Sequence, residues 1–377
     1  MPVKAATVDE PAPGTPRGVL AQGAEALDVS VRQQSLGQLV RHSEQPGGGS
    51  WAPRALLDPS PYVQRRSIEA LGDRLPEPQA AERLLGVIGR DGVEPYTRGL
   101  AGAMLAAHGD TRALDPLQAA LAQADQGWEQ APLALPAAML GDEQALVLLQ
   151  ASLRRGEFPL ELDFFLALGT SGLAGLAEPL AEGATRLEED LLAPAAASLV
   201  RLESPAGEAL FQQMLTDADP ELRLQALDFL APLEGDVADR LIARAAGPGP
   251  AVVSAYAELV QLSRGQGSPR AALEFSRGID REDRQQAVWA LGHYLVAAPT
   301  PKQESAVRER LIQALNDVEL LVVHEAIRAL ARAGTLADLP ALQELTQQEF
   351  VAVRVAAASA ILDIQARSAT PATPPTG

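Results

Sequence analysis

One interval governs this chain of 377 residues: roughly every thirty-one positions, the same short pattern returns. The segments DPSPYVQRRSIEALG, DADPELRLQALDFL, NDVELLVVHEAIRAL and QEFVAVRVAAASAIL each carry a polar turn, an aliphatic anchor, a small residue four positions on and a large aliphatic eight positions on. Four and eight are helical spacings, so each anchor opens an apolar stripe along one side of a helix. Anchors of this form fall at Val31, Val63, Tyr96, Trp128, Leu160, Leu191, Leu222, Val252, Asp283, Val322 and Val353, in steps of 30 to 33 residues with one step of 39. Eight positions beyond them stand Leu39, Leu71, Met104, Pro136, Leu168, Leu199, Leu230, Val260, Leu291, Leu330 and Ile361, and only Pro136 breaks the rule.

Ahead of each anchor lies a second apolar segment, such as AERLLGVIG, GEALFQQML or LPALQEL. Two helices per period, closed by Gly, Asp or Pro, describe an antiparallel helix pair. One such pair cannot bury its apolar face alone, whereas a row of them builds a continuous core through contacts between neighbours. Ala and Leu dominate the apolar residues, aromatics are only 4%, and long alternating β-branched runs are absent, so the chain reads as all-α.

The pattern resembles the HEAT repeat family, in particular the short HEAT-like repeats also found in phycobilisome lyases. The resemblance covers about residues 19 to 367 and is sharpest at DADPELRLQAL, Asp217 to Leu227, with its Asp-Pro turn, apolar-Arg start and small-residue helix. It implies a right-handed α-solenoid of about eleven helix pairs. Repeats three to six are degenerate, and Pro132 and Pro136 should kink the second helix there. Residues 1–18 and 368–377 are Pro-rich and low in large apolar residues, and are expected to be disordered tails around a single domain. EQPGGGS, Glu44 to Ser50, reads as a flexible loop, and LVAAPTPKQE, Leu295 to Glu304, as an insertion that lengthens the 39-residue step.

Charge narrows the function. The net charge of -18 disfavours a nucleic-acid backbone or an anionic membrane surface as partner. All basic residues but Lys4 and Lys302 are Arg, which fits the codon bias of a GC-rich bacterial genome. Without cysteine, thiolate nucleophiles, disulfides and Cys-held metals are excluded. The first residues lack the apolar core of a signal peptide, and the longest uncharged run is Gly-interrupted and too short to span a bilayer. A cytoplasmic protein is expected, or a periplasmic one if a signal has been removed.

His324 and Glu325 form the one His-Glu pair. The segment resembles HEAT-repeat deoxyhypusine hydroxylases, and that resemblance implies metal-binding His-Glu pairs at this register, several of them facing one another. Here the other repeats offer only Asp163 at equivalent offsets, on the order of 40 to 50 Å away at about 9 Å per layer. The pair is therefore read as a solvated repeat surface, with no metal and no cofactor. No phosphate loop and no Gly-x-Ser-x-Gly motif occurs. Arg65, Arg66 and Arg98 form a small basic cluster, Tyr62, Tyr96, Tyr256 and Tyr294 are scattered, and Trp128 reads as core.

The candidate partner-binding residues are Arg284, Gln285, Trp289, His293 and Tyr294, since an accessible Trp beside Arg and His is the usual composition of an interface anchor. From Glu157 to Asp190, eight acidic residues face Arg186 alone, a surface either solvated or suited to a basic peptide. The expected function is a non-enzymatic scaffold whose curved surface binds protein or peptide partners. The rival is a divergent bilin-lyase-like or hydroxylase-like enzyme, which requires a pocket where titratable residues converge from adjacent second helices.

Overall fold

The computed structural model describes residues 11–125, 127–159, 161–297 and 299–369, and among these every regular element is helical. The helices form pairs: α1 (Pro16–Gly23) with α2 (Val29–Arg41), α3 (Trp51–Leu56) with α4 (Pro61–Gly72), α5 (Pro78–Ile88) with α6 (Pro95–Ala107), and α7 (Leu114–Leu121) with α8 (Gly127–Met139). They continue as α9 (Glu143–Arg155) with α10 (Leu162–Thr170), α11 (Ala177–Ala184) with α12 (Glu189–Arg201), α13 (Pro205–Leu215) with α14 (Pro220–Leu230), and α15 (Asp236–Ala245) with α16 (Ala251–Ser263). The last three pairs are α17 (Arg270–Phe275) with α18 (Arg281–Val296), α19 (Pro301–Ala314) with α20 (Leu320–Ala333), and α21 (Leu339–Leu345) with α22 (Val351–Ala369). Among the described residues, the helices thus fall into the eleven pairs that the period predicts.

Local chemistry starts the helices where the sequence places them. Proline opens α4, α5, α6, α13, α14 and α19, where its missing N–H would have been unpaired in any case. Asp28, Asp142, Asp219 and Asp280 accept hydrogen bonds from first-turn N–H groups of α2, α9, α14 and α18. Helix α1 begins at Pro16 and α22 continues to Ala369, so helical structure reaches slightly past the expected tail boundaries. The remainder of the expected tails, 1–10 and 370–377, lies outside the described residues.

Contacts divide the chain, which was expected to be a single domain, into two compact units. One comprises Met1–His42 and Glu258–Gly377. In it α18, α20 and α22 pack in succession, and α1 and α2 then lie against α22. His42 Nε2 meets Asp363 Oδ1 at 2.8 Å across 321 positions. A Cβ on Gly23 would stand 2.2 Å from Ser35 Oγ and 2.7 Å from Val355 Cγ2, so glycine is needed for this approach. Contacts were expected between sequence neighbours alone; instead the first pair occupies the position of a twelfth. The physical reason is that α22 has apolar residues, Val355 among them, on the face that α1 and α2 cover. The Pro-rich insertion extends α18 and begins α19, which Thr300 and Gln303 close with a reciprocal capping box; its residue 298 lies outside the described residues.

The other unit is Ser43–Ala257, where α4, α6 and α8 pack in succession, as do α10, α12 and α14. Pro132 and Pro136 lie inside α8 without ending it. Pro136 has no N–H for the Pro132 carbonyl, and the Gly99 backbone of α6 fills that place: a Cβ there would be 2.2 Å from the Pro132 oxygen. Trp128, expected in the core, is 50% exposed. Val252 is also exposed at 55% while Val253 is buried, so the stripe of α16 is set one residue later than the period predicts. The expected flexible loop EQPGGGS is pinned: the Gly47 N–H donates to Glu77 at 2.8 Å, and Arg74 donates to the Ser43 and Gln45 carbonyls.

Candidate functional site

Helix α18 carries Gln285, Trp289 and His293 four residues apart and therefore on one face. All three are partly accessible, and the Trp289 and His293 ring centroids are 5.2 Å apart. Gly292 lets α18 close on α20, since a Cβ there would be 2.4 Å from that of Ala329. Burial, then the charges of Arg332 and Arg328 on α20, lower the His293 pKa to about 4, so the ring is neutral at pH 7. Burial and Arg328 lower that of His324 as well.

Two of the five expected surface residues are not on the surface. Arg284 is 8% exposed, paired through two guanidinium nitrogens with Asp317 and donating to the Gly278 and Ile279 carbonyls. Tyr294 is 5% exposed. Both sit on the side of α18 turned toward the core, where Ala287, Val288 and Leu291 also lie. The His-Glu pair is corrected too: Glu325 is buried, not solvated, and pairs with Arg332 at 3.1 Å and Arg328 at 3.4 Å. Among the described residues, no three His, Asp or Glu side chains gather closely enough to hold a metal ion.

The Ser43–Ala257 unit holds a denser cluster. Arg65 on α4 has its guanidinium 4.4 Å from the Tyr96 ring centroid and 5.6 Å from that of Tyr62. It donates to Glu94 at 3.0 Å and to Glu161, just ahead of α10, at 3.1 Å. Arg66 pairs with Glu69 at 2.6 Å. The basic cluster expected from Arg65, Arg66 and Arg98 therefore does not exist as a basic surface: two guanidiniums are neutralised, and Arg98 is buried on the Ile88 carbonyl. Nor are the tyrosines all scattered, for Tyr62 and Tyr96 meet over one cation.

Around Arg65 the carboxylates outnumber the cations. Asp163, on the first turn of α10, is accessible to water yet hemmed in by protein; burial, then the Glu69 and Glu161 carboxylates, raise its pKa. Burial, then Asp163 and Glu161, likewise push the Tyr96 phenol up. On the same helix, Leu162 and Leu166 are 54% and 47% exposed, one turn apart on either side of Asp163. Sequence reasoning did not select them, although the signal was present. Counted from the anchor at Leu160, they occupy the two and six offsets that the period leaves on the open face.

Helix pairs stacked through their second helices define an α-helical repeat protein. Residues 50–135, spanning α3 to most of α8, match the HEAT repeats family. No curated protein matches the sequence. Two solved structures align along most of the chain. One, an engineered protein, is 16% identical with a TM-score of 0.31, covering 93% of this chain and 98% of that one. The other is human deoxyhypusine hydroxylase in complex with glycerol, 20% identical with a TM-score of 0.28, covering 93% and 97%. Likeness at this level carries no argument about activity. Among the described residues, no helix is long and apolar enough to cross a membrane.

Proposed function

We propose that the protein is a non-enzymatic scaffold that holds a protein or peptide partner against the second helices of its repeats. One feature carries the reading: Tyr62, Trp128, Leu162 and Leu166 stand 57%, 50%, 54% and 47% exposed on α4, α8 and α10, although the cores of these helices are closed. Apolar area left in water costs about 25 cal/mol per Å² relative to burial, so each of these side chains is one that a partner stabilises by covering. Trp289 and His293 on α18 offer a second accessible aromatic position for the same role. The net charge of -18 speaks against nucleic acid as that partner.

The test places a photocrosslinking amino acid at position 62, at 166 and, as control, at the exposed Ala119 on α7. In the native cell, crosslinks to a defined protein are expected at 62 and 166 and not at 119. Leu166→Asp should abolish them with helicity unchanged. Equal crosslinking at all three positions, or none at 62 and 166, overturns the reading.

One observation favours a second reading. Arg65, Tyr96, Glu161 and Asp163 converge from three helices, which is what an enzyme on this framework requires, and a carboxyl with a raised pKa is suited to general acid catalysis. That reading predicts a turnover that Asp163→Asn abolishes while partner capture persists.

A further inference from the structure

Charge around the exposed leucines selects the kind of partner that would lie there. Glu69, Glu94, Glu161 and Asp163 surround Arg65 and Arg66, so four carboxylates against two guanidiniums leave two net negative charges. Among the described residues Glu69 is paired with Arg66, and Glu94 and Glu161 with Arg65. Among the described residues Asp163 makes no hydrogen bond or ion pair, and the Arg65 and Arg66 charges that act on it are already paired with the other carboxylates. Its neighbours Leu162 and Leu166 are open to solvent. An unneutralised carboxylate flanked by exposed leucines on one helix face is the complement of a segment that alternates cationic and large apolar side chains.

We infer that this face receives a basic segment of a partner protein, with an arginine or lysine head group on Asp163 beside the Tyr96 ring and an adjacent apolar side chain across Leu162 and Leu166. The inference rests on the docking reading above and adds the chemistry of the occupant. Arg65 already shows that the site accommodates a guanidinium, because two tyrosine rings and two carboxylates hold one there. Burial, then the Glu69 and Glu161 carboxylates, disfavour Asp163 as an anion, and an incoming cation relieves this. An acidic segment would add like charge to the same carboxylates and is disfavoured. A small free cation would leave Leu162 and Leu166 uncovered, and for this reason the occupant is a peptide.

The experiment titrates fluorescein-labelled peptides of alternating Arg and Leu, Glu and Leu, or Arg and Ser into the full chain and follows anisotropy. The Arg-Leu peptide is expected to bind about ten-fold or more tightly than Arg-Ser, with an affinity that falls as salt rises, and Glu-Leu should not bind. Asp163→Asn, Glu161→Gln and Leu166→Ser should each weaken the Arg-Leu peptide by about ten-fold. Glu208→Gln on α13, outside the cluster, should leave it unchanged. Equal loss in Glu208→Gln marks non-specific attraction to an acidic protein and overturns the inference, as does equal binding of Arg-Ser or an Asp163→Asn protein of unchanged affinity. A dimer in sedimentation that Asp163→Asn dissolves puts a second copy in the site and also overturns it. If crosslinks at 62 and 166 persist when Asp163→Asn is introduced, the docking face stands and the basic occupant falls; if no crosslinks form there, the docking reading itself falls.

Discussion

Arg65 and Glu161 form an ion pair at 3.1 Å although 96 positions, or three repeat steps, separate them. In a straight stack at about 9 Å per pair they would be roughly 27 Å apart. The second helices of the Ser43–Ala257 unit therefore curl toward one another, and the open faces of repeats two, three and five share one surface.

The tie is measurable by a double-mutant cycle. Glu161 is partly exposed, so the Arg65–Glu161 coupling should be about 0.5–1 kcal/mol in urea unfolding of Arg65→Ala, Glu161→Gln and the double variant. Arg65→Ala alone should cost about 0.5–1 kcal/mol more than Glu161→Gln, because it also loses the stacking on Tyr96.

Two glycines should respond with opposite signs. Gly99→Ala drives a methyl into the Pro132 carbonyl and should destabilise by about 1–3 kcal/mol or more. Gly86→Ala on α5 meets no atom within 4 Å and should stabilise by about 0.5–1 kcal/mol through a less flexible unfolded chain. Chemical denaturation of the two variants decides it.

Acid should weaken the Met1–His42 and Glu258–Gly377 unit in two stages. His293 titrates near 4 when folded and near 6.5 when unfolded, so its contribution is complete above about 6.5 and is lost as pH falls toward 4. For Asp317, burial alone would raise the pKa, but hydrogen bonds from Arg284 and the Glu319 N–H outweigh it and hold it low. Its contribution is complete above about 4 and lost as pH falls through the lowered value. Melting temperature against pH should flatten between 6.5 and 4 in His293→Gln, and below 4 in Asp317→Asn.

Asp163 should behave in the opposite way. A carboxyl raised in the folded state is a penalty above its folded pKa that disappears as pH falls toward the unfolded value. Asp163→Asn should raise the melting temperature at pH 7 and have little effect near pH 4. A binding residue that costs stability is the expected pattern for a functional position.

Trp289→Ala should leave helicity and solubility intact and, if α18 belongs to the binding surface, weaken partner capture. Loss of helicity by circular dichroism would instead assign Trp289 to the core. Added iron or zinc should leave the melting temperature unchanged, because Glu325 beside His324 is engaged by Arg328 and Arg332.

Much of this was legible in the sequence and some was not, for identifiable reasons. The anchors at Val63, Val322 and Val353 are buried as the period requires, and Leu162 and Leu166 are exposed because offsets two and six face away from the core. Arg284, Glu325 and Arg98 were misplaced because long charged side chains can turn inward when a carboxylate, guanidinium or carbonyl waits there, and periodicity does not register such partners.

The order of amino acids by itself determined the helix pairs, their caps and the stripe each buries, because those depend on residues three, four and eight positions apart along one helix. Only the tertiary structure decided that Glu161 would reach Arg65, that His42 would reach Asp363 and that Trp128 would stand in solvent. Each of these depends on the angle between successive pairs, set by contacts as local as Gly99 against the Pro132 carbonyl. Small rotations at every interface add up over several repeats before two distant side chains either meet or miss.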